Sequence, residues 1–315
     1  MYTSGTALNH NDLLDRMITW LVGTVGWTQL DYSGLPSPDP DTALRDCVLR
    51  APGATSGDEF FLYIDTRNNP GAGAYGWAIR GAIGYDSLVV PGSQEGASPE
   101  VFLNLWENAI DYWFYGNGRH VKVVAKCNTS YVTMYAGLFL PFALPSEYPK
   151  PFLVAGNYGS LATIDVANSA NRFIVDPGQN SMFYLNRDAN AWNAVANHAA
   201  SVNNVSFVEL GHSFMWPHRG IRSTLSSETI ANELSWNQNG LLQMRPLGNG
   251  EIPMFKAHIL SYGDLKAVGS LDGVYSAPGF GKTSEQSIVF SPRQFRVFQN
   301  VFRTTGRDYM AIEEI

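Results

Sequence analysis

Charge is scarce in this sequence: Asp, Glu, Lys and Arg make up 16% of the chain, against roughly a quarter in an average soluble domain. The 21 Lys and Arg are scattered and outnumbered by 28 Asp and Glu. No basic stripe therefore exists to track phosphates, and nucleic acid is not an expected partner. Cysteine is nearly absent. Cys47 and Cys127 leave at most one pair, which excludes the disulfide framework of a small secreted domain and fits synthesis in a reducing cytoplasm. No run of about eighteen apolar residues occurs, so no membrane segment is expected. The opening MYTSGTALNHND has no basic region followed by an apolar one, and no signal peptide is expected either. Internal repeats, low-complexity tracts and heptads are also missing, which sets aside solenoid, fibre-shaft and collagen architectures.

Catalytic and ligand motifs are equally thin. Gly281-Lys282-Thr283 invites a phosphate-loop reading, but the required earlier glycine is Ser276 and no apolar helix follows, so a turn between strands is expected. Gly211-His212-Ser213-Phe214-Met215 begins like a nucleophile elbow and ends on Met215 where the tight turn needs glycine. His212 and His218 lack an acidic third ligand nearby, so a loop held by Trp216 is expected there in place of a metal site. Of the carboxylate pairs that glycan cleavage would need, Asp58 with Glu59, Glu95 with Glu100, and Glu313 with Glu314 each read as a solvated turn or terminus. Asp176-Pro177-Gly178 reads as a turn.

What the chain does have is apolar and aromatic bulk: 45% hydrophobic residues, with 8 Trp, 17 Phe and 15 Tyr. Low charge with many rings suits subunits in a permanent assembly, because interface cores deplete charge and enrich aromatics. A β-rich monomer with a large aromatic core fits the same composition. Trp77, Trp106, Trp113 and Trp192 are open to a third use as a sugar-stacking platform, but on alternating strands a core or subunit-contact role ranks higher.

Apolar residues at three- and four-residue spacing from Asn9 to Val25 (Leu13, Leu14, Met17, Ile18, Leu21, Val22, Val25) predict a helix of about four turns. Asn9 serves as its N-cap, Asp12 lies in the first turn and Gly26 follows the end. FFLYIDTR and AYGWAIRGAIGYD read as a long hairpin across Asn68 to Gly73, and Ile110 to Phe142 as a three-stranded meander turning at Gly116-Asn117-Gly118-Arg119. Pro141, Pro145, Pro149 and Pro151 then suggest a boundary, because each removes an amide donor and fixes φ. Beyond it, strands are expected at Arg172 to Val175, Ser181 to Asn186 and Val205 to Leu210, with helical periodicity at Ser226 to Trp236. The segments MFKAHILSYG, GSLDGVYSAPGF, SIVF, FRVFQNVFR and DYMAIEEI should form a closing sheet that returns to the main core. The expected class is α+β, predominantly antiparallel β in sandwich-like or mixed sheets, with an N-terminal amphipathic helix. Residues 1–150 form a helix-plus-sheet domain and 151–315 a second β-rich region, or the whole is one large domain.

The segments GWAIRGAIGYDS and SPEVFLNLWENAIDYWFYGNGRHVKVVAKCNTSYVTMYAGLFLPFALPSEYPKPFLVAG resemble a family of tail-associated structural proteins from tailed bacteriophages and prophages. The likeness extends to TSGTALNHNDLLDRMITWLVGTVGWT, ANSANRFIVDPGQNS, GSLDGVYSAPGFGKTSEQSI and FQNVFRTTGRDYMAI, and so covers most of the chain. It implies a virion component of tail, baseplate or neck, assembled in the host cytoplasm, with no cofactor, no metal and no enzymatic activity. It carries no functional residue across. The expected partners are other virion proteins and further copies of the chain in a cyclic ring. From their bulk, the contact candidates are Trp77, Tyr85, Trp106, Trp113, Tyr115, Tyr148, Trp216 and Phe302. The nearly uncharged loops Asn68 to Ala74, Val90 to Pro99 and Leu144 to Pro151 are expected to order on assembly. A receptor- or glycan-binding tail protein and a cell-wall hydrolase are the competing readings.

Overall fold

The computed structural model describes residues 1–33, 44–53, 57–164, 171–172, 176–177, 181–185, 187, 191–195, 213–216, 254–261, 266–277, 281–290, 292–299 and 309–314. The Asn9 side chain accepts hydrogen bonds from the backbone N–H groups of Asn11 and Asp12 at 2.9 and 3.0 Å, and Asp12 in turn accepts one from the Leu8 N–H at 2.7 Å. These bonds satisfy donors that a helix start leaves without partners. The helix runs over His10–Trp20 and continues as a wider π turn, Leu21–Val25, before Gly26 ends it at φ +89°. Leu13, Leu14, Met17, Ile18, Leu21 and Val25 are buried as expected. Val22 is not: the wider turn changes the angular step per residue, and its side chain is left 40% exposed.

A seven-stranded central sheet has the strand order Tyr2–Ala7, Ile110–Gly116, His120–Cys127, Ser130–Leu138, Phe152–Ala155, Met182–Leu185, Trp192–Ala194. Every neighbouring pair is antiparallel. Side chains alternate between its faces with period two, and both faces are covered. Ile110, Tyr112, Phe114, Val121, Val123, Val132, Met134, Phe152 and Val154 share one core with the helix and with a five-stranded sheet. That sheet runs in sequence order: Thr28–Tyr32, Asp46–Ala51, Phe60–Asn69, Ala74–Ala82, Val101–Leu105. Trp113, Tyr115, Val124, Tyr131, Tyr135, Leu153 and Tyr184 face the other way, against Ala257, Ile259, Leu271, Val274, Phe298, Met310 and Ile312 of a third sheet.

The third sheet is the expected closing one, built from Ser213–Trp216, Phe255–Ser261, Lys266–Ala277, Tyr309–Glu314, Arg293–Gln299 and Ser287–Phe290 in that spatial order. Among the described residues the fold is three main antiparallel β layers with one short helix, and Phe298, Met310 and Ile312 of the last strands pack against the central sheet. The proline stretch lies within this arrangement. Leu140–Pro141 pairs with Gly269 and Ser270 at a sheet margin, and Phe152–Ala155 rejoins the central sheet beside Ser130–Leu138. The central sheet therefore has strands on both sides of residue 150, and Pro145, Pro149 and Pro151 fall in the connection between them.

Asn171–Arg172 pairs with Asp176–Pro177, so Asp176 and Pro177 lie in a short strand where the sequence read a turn, and Gly178 lies outside the described residues. The expected strand Val205 to Leu210 and helix Ser226 to Trp236 lie outside the described residues. Cys47 and Cys127 are both free and buried in the first core, where burial pushes their thiols up. Among the described residues, no helix is long and apolar enough to cross a membrane.

Candidate functional site

Alternation along Phe60–Asn69 sends Leu62 and Ile64 into the core and turns Phe61, Tyr63, Asp65 and Arg67 to the outer face of the five-stranded sheet. Tyr63 is paired across the strands with Val48 and Arg80, and Asp65 with Asp46. Together with Asp31, Glu100 and the loop Tyr85 to Gly92, these residues line a cavity of about 540 Å³. One side is aromatic and apolar: the lining residues Tyr63, Val48 and Tyr85 pack with Phe61 and Ala82, and the Tyr85 ring centroid lies 6.0 Å from that of Phe61 and 6.3 Å from that of Tyr63.

The other side is ionic. Arg67 pairs with Asp65, while Arg80 pairs with Glu100 at 3.1 Å and donates to the Ser98 carbonyl at 3.3 Å. Burial, opposed by Arg67 and aided by Glu100 and Asp46, holds the Asp65 carboxyl above its ordinary value. Among the described residues, the Tyr63 hydroxyl is buried without a hydrogen-bond partner, and its side chain is only 5% exposed.

The wall of this cavity is built in advance. Gln94 is buried and donates to the Asp86 and Val89 carbonyls at 2.7 and 2.5 Å, while its side-chain oxygen accepts from the Asp86 N–H at 2.8 Å. Ser98 ties the far end to Gly81 through both its backbone N–H and its hydroxyl, and Trp192 of the central sheet donates to the Gly96 carbonyl at 2.9 Å. The loop Val90 to Pro99, expected to order on assembly, is thus tied to Gly81, Asp86 and Val89 by its own Gln94 and Ser98. The loop Leu144 to Pro151 is likewise anchored: Tyr148 donates to the Leu185 carbonyl and packs edge-on against Phe139 at 5.6 Å.

The contact candidates separate sharply. Trp77, Trp113, Tyr115 and Tyr148 are buried inside this chain: Trp77 donates to the His10 carbonyl at 2.8 Å, and Trp113 packs edge-on against Phe298 at 5.1 Å. Rings covered by their own chain offer nothing to a second protein. Tyr85 and Trp106 are partly exposed, and Tyr85 lines the cavity. The side chains of Trp216 and Phe302 lie outside the described residues, as do His212 and His218. Reading by residue type missed Tyr63, Asp46, Asp65, Arg67 and Arg80. The available signal was the i, i+2, i+4 spacing of Tyr63, Asp65 and Arg67 in FFLYIDTR.

The remaining candidates have structural partners. Glu313 and Glu314 are not a solvated terminus but are partly buried and paired with Arg293 and Arg296 on the closing sheet, the latter pair at 2.6 Å. Residues 281–286 form a turn entering Ser287–Phe290, with Gly281 at φ +67°. No group of three or more potential metal ligands occurs among the described residues.

Two ionisable groups are buried between the central and closing sheets. Lys122 donates to the Asp272 carbonyl at 2.7 Å, and burial lowers its pKa to about 8 against the support of Asp272 and Glu313. His120 stacks on Tyr135 at 5.2 Å. Burial, with Lys122, Arg119 and the N-terminal amine as neighbours, holds its pKa well below the usual value. Its Nδ1 is 3.8 Å from Asp272, beyond hydrogen-bonding reach, so the ring stays neutral.

No protein-family model and no curated protein matches this chain.

Proposed function

We propose that the chain is a structural subunit of a tailed-phage virion, in the tail, baseplate or neck, acting through contacts with copies of itself in a cyclic ring and with neighbouring virion proteins. The observation that carries this reading is the margin of the closing sheet. Among the described residues, Ser287–Phe290 pairs only with Arg293–Gln299, and it presents Val289 at 68% and Phe290 at 36% exposure. An apolar edge strand is a template for another chain, and monomeric proteins guard such edges with charge, proline or a bulge. Phe142 and Leu144 add a second exposed apolar site, on the anchored loop beside Pro141. The resemblance read from the sequence agrees with this use of the surface.

Light scattering of the purified full-length chain tests the proposal. The expected mass is a multiple of 34.7 kDa, and Val289→Lys, which places a charge on the open edge without touching the core, should return the chain to that single mass with its fold intact. A wild-type chain that stays at the single mass over the whole concentration range overturns the proposal.

A further inference from the structure

From the cavity on the outer face of the five-stranded sheet, we infer a binding site for a neutral oligosaccharide, a function separate from assembly and resting on different residues. Its volume of about 540 Å³ falls in the range of small-ligand sites, roughly 300–1,000 Å³. The choice of ligand follows from what the lining excludes. Asp31, Asp46, Asp65, Asp86 and Glu100 outnumber Arg67 and Arg80, so a phosphate or nucleotide meets net negative charge. A cationic peptide finds two of these five carboxylates already held, Asp65 by Arg67 and Glu100 by Arg80, and is the competing ligand for the other three. An apolar ligand would strip water from those ions without replacing it.

A sugar ring meets every element of the lining. Its C–H face packs on Tyr85, whose partly exposed ring is propped by Phe61 and Tyr63. Its hydroxyls donate to the carboxylates of Asp65 and Glu100 and accept from Arg67 and Arg80, using both members of each ion pair at once. The buried Tyr63 hydroxyl, which has no partner among the described residues, gains one from a ligand hydroxyl, and a buried polar group left unpaired is costly enough to mark a position awaiting a partner. The loop wall is fixed by Gln94 before any ligand arrives, so little ordering opposes binding.

The test is an array of short neutral hexose and N-acetylhexosamine oligosaccharides probed with the full-length chain, followed by calorimetry on the best binder. Tyr85→Ala and Asp65→Asn should each weaken binding by about tenfold, the loss that accompanies one charge-assisted hydrogen bond or stacking contact. Tyr63→Phe, which keeps the ring, should weaken it by about threefold or more. Tyr85 is partly exposed, so its variant should melt at the wild-type temperature, which ties any loss to the site. The inference is overturned by an array without signal above a denatured control, by binding that Tyr85→Ala leaves unchanged, or by preference for an oligolysine peptide over every sugar. The Val289→Lys monomer should bind as tightly as wild type, which separates failure of this site from failure of assembly.

Discussion

Lys122 and His120 sit on one strand, point to the same side of the central sheet and are each 1% exposed, yet they bias stability at opposite ends of the pH scale. The folded Lys122 releases its proton near pH 8, whereas an unfolded lysine holds it to about 10.5. Between those values the unfolded chain carries more protons, so stability rises with pH. The gain is on the order of 3 kcal/mol over that window. Urea unfolding of Lys122→Met should lack this rise while the wild type shows it; parallel curves would contradict the assignment. For His120 the folded value lies below the ordinary 6.5. Its contribution is complete above that pH and is lost as pH falls through the folded value, since only the unfolded ring takes up a proton. His120→Gln should therefore lose less stability than wild type on acidification below about pH 6.5. Gly137 is constrained differently: at φ +131° a Cβ would stand 2.4 Å from the Arg119 carbonyl oxygen, and no flexible side chain is there to move aside.

Local elements were the most legible in sequence because their signals are local. The cap at Asn9, the stop at Gly26, the hairpin of FFLYIDTR with AYGWAIRGA and the meander from Ile110 onward follow from periodicity and turn chemistry, and all are present. Asn9→Ala should cost about 1 kcal/mol, read as a lowered urea midpoint with an unchanged slope; no change would mean that Asp12 alone satisfies the helix start. Face assignment was less legible. In a sheet covered on one side alternation separates core from surface, but here both sides of the central sheet are buried, so Trp113 and Tyr115 look outward by pattern and are enclosed by the closing sheet. Site assembly was least legible. Tyr63, Asp65 and Arg67 share a face by spacing, but joining them to Arg80, Asp46 and Glu100 requires strand register, which pairs residues far apart in the chain. The four prolines from Pro141 to Pro151 interrupt regular structure locally, and Phe152–Ala155 then pairs with Ser130–Leu138 on the other side of them.

At the scale of the whole molecule, three layers enclose two cores, so the aromatic abundance that suggested subunit contacts is spent mostly within the chain. What remains for partners is narrower and better defined: the edge Ser287–Phe290, the apolar pair Phe142 and Leu144, and a pre-formed cavity on the opposite outer layer. Such a division suits a rigid building block that contacts neighbours along edges and loops while a separate face stays open. Negative-stain electron microscopy of the purified full-length chain tests this most directly. The account predicts class averages of closed rings with cyclic symmetry, lost in Val289→Lys; only single-subunit particles at every concentration would contradict it.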